Sequence, residues 1–426
     1  MSKVQQVEAD RREIMGRQHA LSLGSLLAAG GTAIMPHQLG SRKVLAAPSK
    51  SRRDLLVVIF LRGAADCLNI VVPHGDPEYY RVRPNIAIAR PGSGTGTALD
   101  LDGFFGLHPK MAALKPLWDD HRLAVIHAAG SPDDTHSHFD AMQYMECGTP
   151  GNRLEATGWL SRHLQSTRSS NDSVFRALSI GGQVPQSLRG QVLATAISNL
   201  QGFALSDDLA VAAQLEGVLG SLYSGDDLLR RTGQSVIGAI RTVRSVPLEP
   251  RTTNPPYPDS DLARGLTQVA SVARADIGME VAWLDYEGWD THVNEGGADG
   301  QMANLLQDLS ESLAAFVADL EAQIGNTTIV VMTEFGRRVE ENGLGTDHGH
   351  GGTMLVLGGA VRGGQVYLNN NQWPGLKPEN LYGPGDLAVT TDFRSVLAEV
   401  TRQRLYNPDL ATVFPNFTPT KVGLFG

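Results

Sequence analysis

The carboxylates and imidazoles that could do chemistry fall in five short polar segments, each adjoining an apolar run. Arg62-Gly63-Ala64-Ala65-Asp66 follows the run Leu55 to Leu61, and Ser131-Pro132-Asp133-Asp134-Thr135-His136-Ser137-His138 follows Arg122 to Ala128. Gly288-Trp289-Asp290-Thr291-His292 follows Met279 to Tyr286, and Thr333-Glu334-Phe335-Gly336-Arg337 follows Thr327 to Met332. Thr346-Asp347-His348-Gly349-His350 immediately precedes Thr353 to Leu357. Carboxylate and imidazole drawn from several separate segments are the donors a zinc, manganese or iron centre requires. The candidate ligands of one or two divalent ions are therefore Asp66, Asp290, His292, Glu334, Asp347, His348 and His350. A hydroxyl at a helix N-terminus stands where N–H groups and the helix dipole favour an anion, which suits a nucleophile attacking phosphate or sulfate. Ser137 or Thr135 fits that role, with Ser137 favoured, and Arg337 or Arg62 would grip the anion's remaining oxygens in a bidentate contact. His127 ends an apolar run and reads as a core histidine; His19, His37, His74, His108, His121 and His163 read as structural or dispensable.

Those segments need a scaffold that brings them together. The five apolar runs are continuous and β-rich, as strands covered on both faces are. Between the third and fourth, Leu305, Leu306, Leu309, Leu313, Phe316, Val317, Leu320 and Ile324 recur at helical spacing, with Gly325 as the expected stop. Strand, helix, strand at this spacing predicts a crossover unit and an α/β fold with a mostly parallel sheet flanked by helices. In such a sheet ligands bind beyond the carboxyl ends of the strands, where these polar segments would meet. The stretch from about 150 to 260 is different in character. Polar residues, then helical periodicity through Leu209, Val211, Leu215, Val218 and Leu222, and a Pro-rich close at Asn254 to Pro258 predict a largely helical insertion or cap. No phosphate-loop, strand-coupled dinucleotide glycine motif or Gly-x-Ser-x-Gly elbow occurs.

At these residues the chain resembles a known family. Phe60-Leu61-Arg62-Gly63-Ala64-Ala65-Asp66, Ser137-His138-Phe139, Trp289-Asp290-Thr291-His292, Thr333-Glu334-Phe335-Gly336-Arg337 and Thr346 to Gly352 are similar, in order, to the signatures of domain-of-unknown-function family fifteen-oh-one. Members resemble the alkaline phosphatase and sulfatase superfamily in fold, and many carry twin-arginine signals. The resemblance implies an alkaline-phosphatase-like domain over residues 47–426 in which Asp66 binds one metal and Ser137 is the nucleophile. It also implies Asp290 and His292 at a second metal, Glu334 as a bridging or first-site carboxylate, and His348 or His350 as the late histidine. The chain departs from the superfamily pattern twice. Asp290-x-His292 replaces Asp-x-x-x-His, and Glu334-Phe335 replaces Asp-His; both departures count against a complete two-metal centre and leave a single metal or an altered pair open.

The N-terminus supplies an address. Arg11-Arg12 precedes a weakly apolar run from Ala20 to Met35, too short for the roughly 20 residues that span a bilayer but suited to a signal. Residues 1–46 are read as a twin-arginine signal with cleavage near Ala46 or Ala47, which places the mature protein in the periplasm or outside the cell. Arg52-Arg53 looks superficially like a second signal, but the apolar run after it ends at Arg62 and reads as a strand. Removing residues 1–46 takes away six basic and three acidic side chains, so the formal charge moves from −9 to −12. An acidic chain is unsuited to nonspecific nucleic-acid binding, and the mature part shows no transmembrane segment. The expected partners are the twin-arginine export machinery and a small anionic ester. Cys67 and Cys147 are the two cysteines; they exclude a Cys-based metal site and leave their pairing open. The competing reading is a catalytically silent relative that binds a ligand or partner in the envelope, and a purely structural exported protein is a third.

Overall fold

The computed structural model describes residues 54–167, 171, 173–200, 202, 205, 206, 208–224, 228–245 and 251–426. Residues 1–46, read from the sequence as a signal, the expected cleavage near Ala46 or Ala47, and Arg52-Arg53 lie outside the described residues.

Leu55–Leu61 forms strand β1, and all seven of its residues are buried. Successive side chains point to opposite faces. Leu55, Val57, Ile59 and Leu61 therefore enter one core with Leu306, Leu309, Leu313 and Phe316, while Leu56, Val58 and Phe60 enter another with Trp159, Leu160, Val396 and Val400. Each such side chain contributes about 1.5–3 kcal/mol by leaving water. The other strands of the main sheet are β2 (Leu123–Gly130), β3 (Ala177–Ile180), β4 (Thr195–Ile197), β5 (Val281–Tyr286), β6 (Thr327–Thr333), β7 (Gly352–Gly358), β8 (Gln365–Tyr367) and β9 (Thr391–Asp392). Their order across the sheet is β8-β2-β7-β6-β1-β5-β3-β4, with β9 beside the end of β2.

Strands β6, β1, β5, β3 and β4 run parallel, as do β8 and β9 to β2. Only β7 is reversed, pairing antiparallel with both β2 and β6. This reversal decides where the site can form. The residues before β7 share one edge of the sheet with the residues after β1, β2, β5 and β6, so all five polar segments reach the same rim.

Helices α1 (His138–Cys147), α2 (Trp159–Ser166), α3 (Leu209–Leu222), α4 (Leu228–Ser245), α5 (Asp261–Arg274), α6 (Gln301–Leu320) and α7 (Phe393–Gln403) surround the sheet. Helix α6 buries Leu306, Leu309, Leu313, Phe316 and Leu320, as its spacing predicts. It stops at Glu321, where φ turns positive, and a 3-10 turn over Glu321–Asn326 carries the chain past Ile324 to β6. The stretch at about 150–260 is not helical throughout. It supplies β3 and β4, which extend the main sheet beyond β5, before α3 and α4 pack as a pair. These two strands are only four and three residues long, too short for an alternation to register in sequence. Cys67 and Cys147 are both buried and unpaired.

Candidate metal centre

The rim is assembled by close backbone contact. Gly336 N–H donates to His350 O at 3.0 Å, and Gly349 N–H donates to Gly336 O at 2.9 Å. A Cβ at Gly336 would sit 1.9 Å from Gly351 O, so only glycine lets the segment after β6 meet the one before β7. Gly63, at φ +120°, does the same for the segment after β5, since a Cβ there would lie 2.4 Å from Asp290 N. With Ala64 also left-handed (φ 61°), two consecutive N–H groups, of Gly63 and Ala64, point at Glu334 Oε1, at 2.8 and 3.1 Å.

Three imidazoles converge on this rim. His348 Nε2 lies 3.0 Å from His138 Nε2, 2.9 Å from His292 Nε2 and 3.1 Å from Asp290 Oδ1. His292 Nε2 is 3.1 Å from the same Asp290 oxygen, and His138 Nε2 is 3.6 Å from Asp290 Oδ2. His138, Asp290 and His348 place their ligand atoms within 4.8 Å of one another. His292 forms an overlapping triad with the same Asp290 and His348.

The partners of the opposite ring nitrogens fix the tautomers. His348 Nδ1 is 3.0 Å from the backbone carbonyl of His136, which can only accept, so Nδ1 carries the proton. His138 Nδ1 is 2.7 Å from Glu334 Oε1, a buried carboxylate that also takes Thr333 Oγ1–H on its other oxygen. In the neutral rings, both Nε2 atoms then present lone pairs to each other at 3.0 Å, with a carboxylate beside them. Lone pairs facing one another across this gap repel, and a cation between them removes the conflict. Donor atoms about 3 Å apart suit metal–nitrogen bonds of about 2.0–2.1 Å. Burial resists charge on Asp290, but the Arg337 guanidinium that donates to it outweighs this and holds its carboxyl down at about 2. Burial also pushes the His348 imidazole down, in the direction that favours the neutral ring a metal needs. The residues present thus fit a divalent ion.

Over residues 53–403 the sequence matches the family described as Protein of unknown function (DUF1501). The chain belongs to this family. No curated protein matches it. Among solved structures it is similar to the C-terminal periplasmic domain of EcEptC from Escherichia coli in complex with Zn, at 10% identity and TM-score 0.37, covering 86% of this chain and 88% of that one. The lipoteichoic acid synthase LtaP from Listeria monocytogenes gives 8% identity and TM-score 0.31, over 72% of this chain and 65% of that one. The alkaline phosphatase from the Antarctic bacterium TAB5 gives 10% and 0.29, over 72% and 92%.

In this family member the seven expected metal ligands divide. Asp290, His292 and His348 meet at the rim, as described above. Glu334 stands behind it as the acceptor that orients His138, and Asp347 lies 3.5 Å from His292 Nδ1 while accepting from Asn342 Nδ2. That bond from Asn342 is the main reason its carboxyl is lowered. Asp66 is engaged elsewhere. It is fully buried, its two oxygens engage the guanidinium of Arg83, and it accepts Leu68 N–H as the cap of a short helix. His350 also turns away, with Nε2 2.7 Å from Ser131 O and its ring against Tyr382.

Neither arginine is free to grip an anion. Arg337 is fully buried and donates to the carbonyls of Gly63, Ala64, Trp289 and Thr346 and to Asp290 Oδ1. Arg62 lies over Phe60 and pairs with Glu146 and Asp285. Burial disfavours the charge of Arg62, yet those two carboxylates raise its pKa overall. Ser137 occupies the N-cap position of α1 and its side chain makes no capping bond, while Thr135 Oγ1 accepts Ser137 N–H. His127, fully buried, binds Val71 O, as a core histidine does.

Sequence reasoning passed over His138. It lies inside the segment read for its hydroxyl, one residue after Ser137, and its position at the same strand end as the other candidates was the available signal. Phe335, where an imidazole was expected by resemblance, stacks on the His138 ring at 5.0 Å and packs against His348 at 5.1 Å.

Proposed function

We propose that the chain is an exported, metal-dependent hydrolase or transferase of phosphate or sulfate esters with a single divalent ion. The observation that supports this reading is the convergence of the His138, His292 and His348 Nε2 atoms on Asp290, with the His138 and His348 lone pairs inward. Asp290 and His348, with His138 or His292, would hold the ion, and when bound it supplies a Lewis acid beside the N-terminus of α1. Ser137 is the proposed nucleophile, because its hydroxyl is not used as a cap and α1 directs its N-terminal N–H groups toward an anion there. Glu334 and the His136 carbonyl keep the two rings in the donor tautomer, and Arg337 fixes Asp290. A site drawn from segments this far apart in sequence exists only after folding. That agrees with twin-arginine export, which moves folded chains.

The test is elemental analysis of protein exported with its own leader, with hydrolysis of an ester panel by wild type and Ser137→Ala. About one divalent ion per chain, and hydrolysis lost in the variant, are expected. Metal-free protein that binds no oxyanion would end the proposal. A catalytically silent, ligand-binding relative is the second reading. It is favoured by the commitment of Arg62 and Arg337 to other groups and by Phe335 where a further imidazole would stand. Retained metal and oxyanion binding without turnover of any ester would select it.

A further inference from the structure

Eleven large apolar side chains are exposed among the described residues, and their placement is uneven. Exposed apolar residues scattered singly are ordinary; grouped around a polar site they mark a binding surface. Phe139, 90% exposed, directly follows His138. Val293, 53% exposed, directly follows His292, and Leu344, 63% exposed, precedes His348 by four residues. Each segment that brings an imidazole to the rim thus carries one outward-facing apolar side chain. Leu154, at 93%, belongs with them: Arg153 beside it bonds Asp140 and Tyr144, which ties this loop to the first turns of α1, the helix that carries Phe139. Tyr382 completes the set, its ring 4.9 Å from that of His350 and its hydroxyl on Asp134. None of the five joins a core cluster, so packing does not account for them.

We infer that this apolar rim receives the alcohol portion of an amphiphilic ester, so that the substrates are phosphate or sulfate esters of bulky apolar alcohols rather than small polar ones. The inference rests on the metal-dependent reading of the site. The anionic head goes to the ion and the helix terminus, and the chain or ring it esterifies lies across Phe139, Leu154, Val293 and Leu344. The occupant is a single amphiphile and not a bilayer face. Asp134, which accepts from the Tyr382 hydroxyl, and Asp347, 3.5 Å from His292 Nδ1, stand at the same rim, and these carboxylates would be repelled by an anionic lipid surface.

The test uses zinc-loaded, full mature chain and the non-hydrolysable ethyl, butyl and hexyl phosphonates, each below its micelle-forming concentration, titrated by calorimetry. Affinity should rise about two- to threefold for each added methylene, somewhat less than complete burial would give. Phe139→Ser combined with Leu154→Ser should flatten that rise while the metal content stays at the wild-type level. Equal affinity for all three phosphonates overturns the inference, and if ethyl phosphonate still binds only with zinc, the metal-dependent reading survives it. Failure of every phosphonate to bind overturns both. A rise that the double variant leaves unchanged removes the rim from recognition. Cosedimentation with anionic phosphatidylglycerol vesicles, unaffected by added hexyl phosphonate, would make the rim a membrane-docking face instead and equally overturns the inference.

Discussion

Glu334 Oε1 and His138 Nδ1 lie 2.7 Å apart, and the same oxygen gathers the N–H groups of Gly63 and Ala64. One buried carboxylate thereby joins the turn after β1, the strand end of β6 and the head of α1. A carboxylate behind a ligating histidine sets its tautomer and raises its basicity. Glu334→Gln keeps an acceptor for the two amides but removes the charge that favours the Nδ1–H tautomer. The expected result is metal affinity about 10–100-fold weaker in the folded protein, measured by chelator competition. Unchanged affinity would mean that His138 is not a ligand.

His348 and His350 are two residues apart, yet the geometry gives them opposite roles. His348 Nε2 faces three donor atoms, whereas His350 Nε2 is bonded to Ser131 O. His348→Ala should lose its metal entirely, and His350→Ala should keep it while melting at a lower temperature. Elemental analysis beside a thermal melt separates the two. Metal lost from His350→Ala in an otherwise folded protein would reverse the assignment.

The same contrast shows what the sequence could and could not disclose. Continuous apolar runs at Leu55, Leu123, Val281, Thr327 and Gly352 became strands within two residues of the expected bounds, because strands buried on both faces leave no polar positions to blur them. The shared edge was legible too, since each run is flanked on one side by carboxylate or imidazole. Which of those side chains turn inward was not legible. Asp66 has the position of a ligand, but Arg83, seventeen residues on, neutralises it in the core. Arg337 has the position of an anion clamp, but the carbonyls that occupy it come from three other segments. Pairings of this kind are set by tertiary contact and leave no local pattern.

Arg337 is accordingly expected to matter first for stability. Asp290 is half-exposed, so the ion pair itself is screened and counts for little. The buried carbonyls of Gly63, Ala64 and Thr346 count for more, because removing their donor leaves them unpaired. Arg337→Met should cost about 3 kcal/mol or more in urea unfolding, from about 1–3 kcal/mol for each carbonyl left unpaired. Arg337→Lys should recover part of that, since one ammonium reaches fewer of the carbonyls. A variant of normal stability that lost only oxyanion affinity would restore the clamp assignment.

Acid should destabilise the metal-stripped protein through two histidines remote from the rim. Burial pushes the imidazoles of His127 and His163 down to about 4 from the ordinary 6.5. Both are neutral in the folded chain, where His127 faces Val71 O and His163 Nδ1 faces Asn407 Nδ2. As pH falls below 6.5 the unfolded chain takes up protons that the folded chain refuses until about 4, so stability present above 6.5 is lost across that window. Each histidine should account for about 2 kcal/mol between neutral pH and about pH 5. Glu295, buried against Asp66 with its carboxyl pushed up, contributes with the opposite sign, because it stays protonated in the folded chain where the unfolded chain ionises. The informative quantity is therefore the difference in pH slope between wild type and His163→Gln in urea titrations of apoprotein. The variant should lose less stability on acidification than wild type, by about 2 kcal/mol at about pH 5; parallel slopes would show that His163 titrates normally in the fold.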